Sequence, residues 1–241
     1  MNTPKKENKT IGILGGMGPL ATVDMFMKLV NLCDCQTDQE HPRVLIDSNT
    51  NAPDRSPAIL RGGPSPLSDM VRSALTLERG GADMLIMACN TAHYFYDDIV
   101  PYVRIPFLNM IEETAKAVQE KGYTTVALMG TDGTAKSGIY QRQFEKFGIR
   151  VLTLNERDQE ITLDMIHKAV TAGLKTWDTT EITRIVADFA AAGAQAVIMG
   201  CTELPVAFSQ YNIETCLPTI DPTEIVARSA IRFVGVKVRG E

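Results

Sequence analysis

One eleven-residue stretch is written twice in this chain. GADMLIMACNT at 81–91 aligns without gaps on GAQAVIMGCTE at 193–203, placing Cys89 over Cys201, and TIGILGGMGP at 10–19 aligns on TVALMGTDGT at 125–134. The two offsets, 112 and 115 residues, nearly agree. Similarity at one period is how a duplicated unit announces itself, although common β-strand composition is the rival explanation for two short matches. Duplication would restrict the fold to two like halves, each with a cysteine at the same point.

The pattern between the repeats supports that reading. Short β-rich apolar runs alternate with amphipathic ones: TIGILGG then a helix over 19–33, RVLID then 66–79, DMLIMAC then 91–99. A second series runs TTVALMG, a helix over 135–147, IRVLTL, helices over 158–172 and 178–192, and AQAVIMGC; LPTID and a helix over 222–235 close the chain. Such alternation predicts an α/β fold with parallel sheets covered on both faces, here as two doubly wound halves. Ligands bind beyond the C-terminal ends of the strands in open sheets of this kind. Both cysteines fall there, so facing halves would bring two thiols into one cleft.

Composition narrows the function classes. With 241 residues and 44% hydrophobic content, the chain can bury one large core or two small ones. A net charge of -5 argues against a nucleic-acid surface. No apolar run approaches the roughly 18 residues of a membrane span. MNTPKKENKT has no apolar segment behind it and reads as a short disordered tail rather than a leader. Five scattered cysteines, Cys33, Cys35, Cys89, Cys201 and Cys216, point to a reducing cytoplasm. Cys33-Asp34-Cys35 is too closely spaced for an ordinary structural bridge and reads as helical. Without CxxC or HExxH, and with three separated histidines, no metal site is expected.

Several residues suggest chemistry. Apolar residues 84–88 have the length of a buried strand, and Asn90 and Thr91 suit a helix N-cap, so Cys89 is expected at a helix start, where its thiol pKa would fall. A buried core cysteine is the bland reading. GCTELP puts Cys201 in the same setting, with Thr202 and Glu203 behind it, which weakens that bland reading for both. His93 could serve Cys89 as general base in nucleophilic acyl transfer, but local capping or packing is preferred. GGMGPLA at 15–21 contains Gly-x-Gly-x-x-Ala, a weak dinucleotide signal; its glycines are expected to let backbone approach a small ligand. SNTNAPDRSP at 48–57 reads as a polar loop whose Arg55 could clamp a carboxylate in two-pronged fashion. Trp177 reads as packing at a helix border.

Together GGMGP, CNTAH at 89–93, GTDGT at 130–134 and GCTELP at 200–205 resemble the aspartate/glutamate racemase family, in order and spacing over residues 10–235. The two-cysteine form separates racemases from single-cysteine decarboxylases and isomerases of the superfamily. The resemblance implies two α/β domains related by a pseudo-twofold axis, 9–108 completed by 216–241, and 109–215, with the active site between them. It implies racemisation of a dicarboxylic amino acid, aspartate or glutamate, without pyridoxal phosphate, metal or nucleotide, by an enzyme that is often a homodimer. By motif position Cys89 and Cys201 would be the catalytic acid/base pair. Met17, Arg55, Asn90, Thr91, Thr131, Thr202 and Glu203 would bind substrate. Thr171 stands where many aspartate racemases carry a lysine, and neither Lys168 nor Lys175 occupies that position, so substrate choice is open. The rival functions are a Cys89–His93 hydrolase or acyl transferase, a two-lobed amino-acid-binding protein, and, more distantly, an NAD oxidoreductase.

Overall fold

The computed structural model describes residues 9–171 and 173–241, except for the side chains of Ala169 and Thr171. The N-terminal tail through residue 8 lies outside the described residues. Seven strands, β1 (Ile11–Gly15), β2 (Val44–Ser48), β3 (Met84–Met87), β4 (Thr125–Gly130), β5 (Arg150–Thr153), β6 (Val197–Gly200) and β7 (Thr219–Ile220), form two parallel sheets. Their orders are β2-β1-β3 and β5-β4-β6-β7. The helices are α1 (Pro19–Leu32), α2 (Arg55–Leu60), α3 (Leu67–Arg79), α4 (Tyr96–Ile99), α5 (Met110–Glu120), α6 (Asp132–Lys136), α7 (Ile139–Glu145), α8 (Glu156–Asp164), α9 (Thr180–Ala191), α10 (Glu203–Gln210) and α11 (Pro222–Phe233).

The sheets repeat each other down to register. Gly12 pairs with Leu85 across β1 and β3, and the residues aligned on them, Ala127 and Val197, pair across β4 and β6. Common strand composition would not reproduce a register, so the structure favours duplication. Strands β1, β3, β4 and β6 are apolar and buried along almost their whole length because both faces are covered, whereas the edge strands β2 and β5 carry polar residues and are partly exposed. Ile11, Ile13, Met84 and Ile86 pack under α1 and α11, while Leu14, Leu85 and Met87 pack with Met70, Ala74 and Leu77 of α3. In the second sheet Val126, Leu128 and Ile198 meet α5 and α7, and Ala127, Val197 and Met199 meet α9 and α10. Each fully buried Leu- or Ile-sized side chain contributes about 1.5–3 kcal/mol. Trp177 packs, partly buried, against this last cluster, as expected.

The structure departs from the sequence reading at several joints. Arg55 opens α2 rather than lying in a loop, because the Asp54 carboxylate accepts the Ser56 N–H and caps the turn. Gly138, at φ 73°, breaks the expected 135–147 helix into α6 and α7. The 158–172 helix becomes α8, capped by Asn155, followed by a π-helical stretch over Met165–Thr171. Cys33 and Cys35 are not helical: α1 stops at Leu32, and Cys33 turns extended to bridge Val238. Within 216–241, β7 pairs with β6 of the second sheet, whereas α11 packs on α1 and α5. Helices α5 and α10 were not anticipated. Asn109 nucleates the first by accepting the N–H groups of Ile111 and Glu112.

Candidate active site

The C-terminal ends of β1, β2, β3, β4 and β6 open onto one cavity of about 450 Å³. That size suits a small molecule. Met17, Arg55, Cys89, Asn90 and Thr91 line it from the first half, and Thr131, Cys201, Thr202 and Glu203 from the second. Every site residue expected from the sequence except Thr171 is therefore on one cavity. Thr171 ends the π-helical stretch, and its side chain lies outside the described residues. Lys168 from the same stretch is exposed and paired with Asp164 at 2.7 Å. The cavity also takes in Asp54 and Asp132, which lie in SNTNAPDRSP and GTDGT but were given no role there, and Arg61, Leu163, Ile166 and His167, which no quoted motif contains. Arg61 caps the C-terminus of α2, one helix length beyond Arg55, and His167 lies four residues before Thr171.

The two cysteines share a backbone setting and differ in their neighbours. Both are buried. Cys89 sits just past β3, and its thiol pKa is raised: burial outweighs the adjacent Arg55 cation and the Ala92 N–H, both of which favour the thiolate. The helix start therefore acts in the expected direction but loses to desolvation. The Cys201 thiol is pushed well up by burial and by Glu203. Its S–H donates to Glu203 Oε2 at 2.9 Å, and the Thr202 hydroxyl donates to the same oxygen at 2.9 Å. A cation thus attends one thiol and an anion the other.

The surrounding contacts fix these positions. Arg55 donates to the carbonyls of Met17 and Pro53, both at 3.2 Å, and its buried Nε has no hydrogen-bond partner. Asn90 does not cap the following 3₁₀ turn, Thr91–Phe95; its side-chain oxygen instead accepts the buried Tyr140 hydroxyl at 2.5 Å. Asn90 Nδ2 is buried without a partner. Donors left this way on cavity-lining residues are suited to a substrate carboxylate. Thr91 reaches across the halves, its hydroxyl 2.9 Å from those of both Thr131 and Thr134.

His93 is not placed to act as a base. It is buried, with Nδ1 2.8 Å from the Cys89 carbonyl oxygen and Nε2 accepting the Met110 N–H at 3.1 Å. Both ring nitrogens are occupied by backbone, which assigns the proton to Nδ1. Burial lowers its pKa to about 4. The glycine loop also differs from expectation. A Cβ on Gly16 would lie 2.4 Å from the backbone of Asn49, and one on Gly15 would meet Thr22 at 2.4 Å, so these glycines admit protein rather than ligand. Only Gly18 and Met17 of that loop line the cavity. Among the described residues no helix is long and apolar enough to cross a membrane.

Known proteins resemble this chain over most of its length. The family described as Asp/Glu/Hydantoin racemase matches residues 14–230. The chain is 26% identical to the broad specificity amino-acid racemase RacX of Bacillus subtilis (strain 168), covering 92% of this chain and 96% of that one. It superposes on the aspartate racemase of Picrophilus torridus with a TM-score of 0.80 at 32% identity, covering 96% of each chain. An aspartate racemase homologue from Pyrococcus horikoshii OT3 gives 0.78 at 27% identity, over 94% of this chain and 99% of that one. The chain belongs to the Asp/Glu/Hydantoin racemase family and is an amino-acid racemase of the Asp/Glu type.

Proposed function

We propose that the protein racemises an acidic amino acid, aspartate or glutamate, by a cofactor-independent two-base mechanism in which Cys89 and Cys201 work from opposite faces of the α-carbon. The observation that carries this is one cavity lined by a cysteine from each half. Arg55 makes Cys89 the easier of the two buried thiols to ionise, and Glu203 keeps the proton on Cys201. Cys89 takes the α-proton of one enantiomer while Cys201 delivers its own to the opposite face. For the other enantiomer the roles reverse, and Glu203 is placed to relay the Cys201 proton. Arg55 and Asn90 neutralise charge as the carbanion develops.

A second reading concerns breadth. The cavity carries the acids Asp54, Asp132 and Glu203 beside Arg55 and Arg61, so it is not a uniformly cationic funnel, and the relative from Bacillus subtilis is named for broad specificity. Incubation with L- and D-aspartate, glutamate and a panel of neutral amino acids in deuterated water decides both points. Inversion with α-deuterium uptake on the dicarboxylic pair alone supports the first reading, inversion across the panel the second. Activity is expected to survive dialysis and chelation. Absence of both inversion and deuterium uptake on every substrate would sink the mechanism.

The two units are assigned as 9–108 with α11, and 109–215 with β7. A homodimer in the cytoplasm is proposed; an exposed stripe on α1, Leu20, Val23, Met27 and Val30, together with the exposed Ile46 on the edge strand β2, supports the dimer. The spacing is helical, and such a patch calls for a partner. Val23→Lys should convert a dimer to a monomer by light scattering; an unchanged mass would place the interface elsewhere.

A further inference from the structure

The far end of α1 gathers three metal-binding side chains that sequence spacing did not connect. Helix α1 begins beside the cavity and runs 14 residues, about 21 Å, to the opposite edge of the first sheet. There the chain leaves the helix at Cys33, passes Cys35, turns through a 3₁₀ helix at Asp38–Glu40, and returns with His41 just before β2. The two thiol sulfurs and an imidazole nitrogen all lie within 4.8 Å of one another. Cys33 is buried, while Cys35 and His41 are partly open to solvent. In a tetrahedral zinc site with Zn–S near 2.3 Å, neighbouring ligand atoms stand roughly 3.8 Å apart, so about 1 Å of contraction at most completes the geometry.

The backbone that presents these groups is tied down independently of any ion. Asp34 N–H donates to the Lys237 carbonyl at 2.9 Å, and Arg239 N–H donates to the Leu32 carbonyl at 2.7 Å. The Arg239 guanidinium donates to the Cys33 carbonyl at 3.1 Å, and Lys237 pairs with Asp34 at 2.9 Å. On the other side Glu40 accepts the Gln36 N–H at 2.7 Å, and His41 N–H reaches the Asp38 carbonyl at 3.3 Å. Little ordering entropy remains to be lost on binding. A nearby disulfide between Cys33 and Cys35 would leave His41 without a role, whereas a cation uses all three groups.

We propose that Cys33, Cys35 and His41 bind a divalent soft cation of the zinc type, remote from the racemase cavity, with solvent in the fourth position. Two thiolates, one neutral imidazole and water form a recognised donor set for such an ion. Binding displaces one proton from each thiol, so two protons leave per ion and the ion–thiolate unit is neutral. The ion would staple the end of α1 and the start of β2 to the C-terminal segment that bridges Cys33.

Cobalt titration tests this on the full-length reduced protein carrying Cys89→Ala and Cys201→Ala, which removes the cavity thiols from the signal. One equivalent of Co²⁺ should produce the thiolate-to-cobalt charge-transfer absorption and the strong visible bands of a tetrahedral ion, both abolished by zinc. Cys35→Ser and His41→Gln, each first shown to melt cooperatively without metal, should weaken cobalt binding at least tenfold. Absorption retained in both variants would mean adventitious binding, for example at the exposed Cys216, and would overturn the site. So would no absorption in the reduced parent, whether its thiols stay free or reoxidise to a Cys33–Cys35 disulfide. Racemase activity does not enter the readout, so failure here leaves the two-base reading standing.

Discussion

Cys89-Asn90-Thr91 and Cys201-Thr202-Glu203 are the same three positions of a duplicated unit, put to different electrostatic use. In the first half the third residue is a threonine whose hydroxyl turns away to Thr131 and Thr134, and the charge beside the thiol is the Arg55 cation from α2. In the second half the third residue is a carboxylate that accepts the thiol proton. Duplication supplied two equivalent thiols, and divergence of their neighbours leaves Cys89 the easier of the two to ionise. A symmetric pair of buried thiols would be a poor acid/base couple, since neither would have reason to hold the charge.

The largest effect should come from removing either sulfur. Cys89→Ser or Cys201→Ser should cut racemisation at least about 10³-fold, the upper part of the range for a positioned acid or base. Each variant keeps one thiol and should still exchange the α-proton of a single enantiomer with deuterated solvent, without inverting it. The two variants should favour opposite enantiomers. If Cys201→Ser racemises as fast as the parent, the pairing of the two strand ends has another cause.

His93 sharpens the comparison through stability, because it aligns on Pro205 and only the first half carries a buried imidazole. Its folded pKa, about 4 against an ordinary 6.5, means that the neutral form stabilises the fold fully above pH 6.5 and that this is lost as pH falls toward 4. The window corresponds to about 3 kcal/mol. Urea unfolding at pH 7 and pH 4.5 should show a steeper loss for the parent than for His93→Gln. Equal losses would mean that the ring is not held neutral by burial.

Arg55 and Glu203 can be set against each other by pH. Racemisation has an equilibrium constant of one, so kcat/KM is the same for both enantiomers at every pH and reports the thiol pair as a unit. Both thiols are raised, so the profile should climb into the alkaline range as the pair loses its first proton and fall again as it loses the second. Arg55→Gln withdraws the charge that lowers the Cys89 pKa and should move the rising limb to higher pH, with a loss of activity near neutrality. Glu203→Gln withdraws the charge that raises the Cys201 pKa and, less strongly, that of Cys89, so it should bring the falling limb down and draw the rising limb the same way. Identical limbs in parent and variants would remove the electrostatic difference between the halves.

Much of this was legible in the sequence because it depends on period and repetition. Apolar runs such as LIMAC and VIMGC fix strands, and the repeat fixes which strand ends face one cleft. The unread parts depend on which competing partner wins. Asn90 has the chemistry of a cap but spends its oxygen on Tyr140, fifty residues away. Cys89 has a helix start and a cation beside it, yet burial decides its pKa. Arg61 and His167 reach the cavity through turns whose direction is set by Asp54 capping α2 and by the π-helical widening after Asp164. The cluster of Cys33, Cys35 and His41 exists only because α1 stops one residue before Cys33, where the C-terminal segment pairs with the chain.

The smallest expected effect belongs to Thr91, the counterpart of Glu203. Its hydroxyl lies on the cavity wall but directs its bonds to Thr131 and Thr134, which are themselves 3.2 Å apart and can bond to each other when it is gone. Thr91→Val removes the bridging hydroxyl and keeps the β-branched shape that packs against Gly133, where an added Cβ would lie 2.6 Å from the Thr91 methyl. One hydrogen bond between buried neutral groups contributes about 1 kcal/mol, so the variant should lose roughly that much stability. Since the lost group touches neither thiol through a charge, the limbs of the kcat/KM profile should stay where they are in the parent. The equivalent change in the other half, at Glu203, moves a limb. Should Thr91→Val shift the rising limb as far as Arg55→Gln does, then Thr91 sets the charge on Cys89, and the third position would serve the thiol in both halves after all.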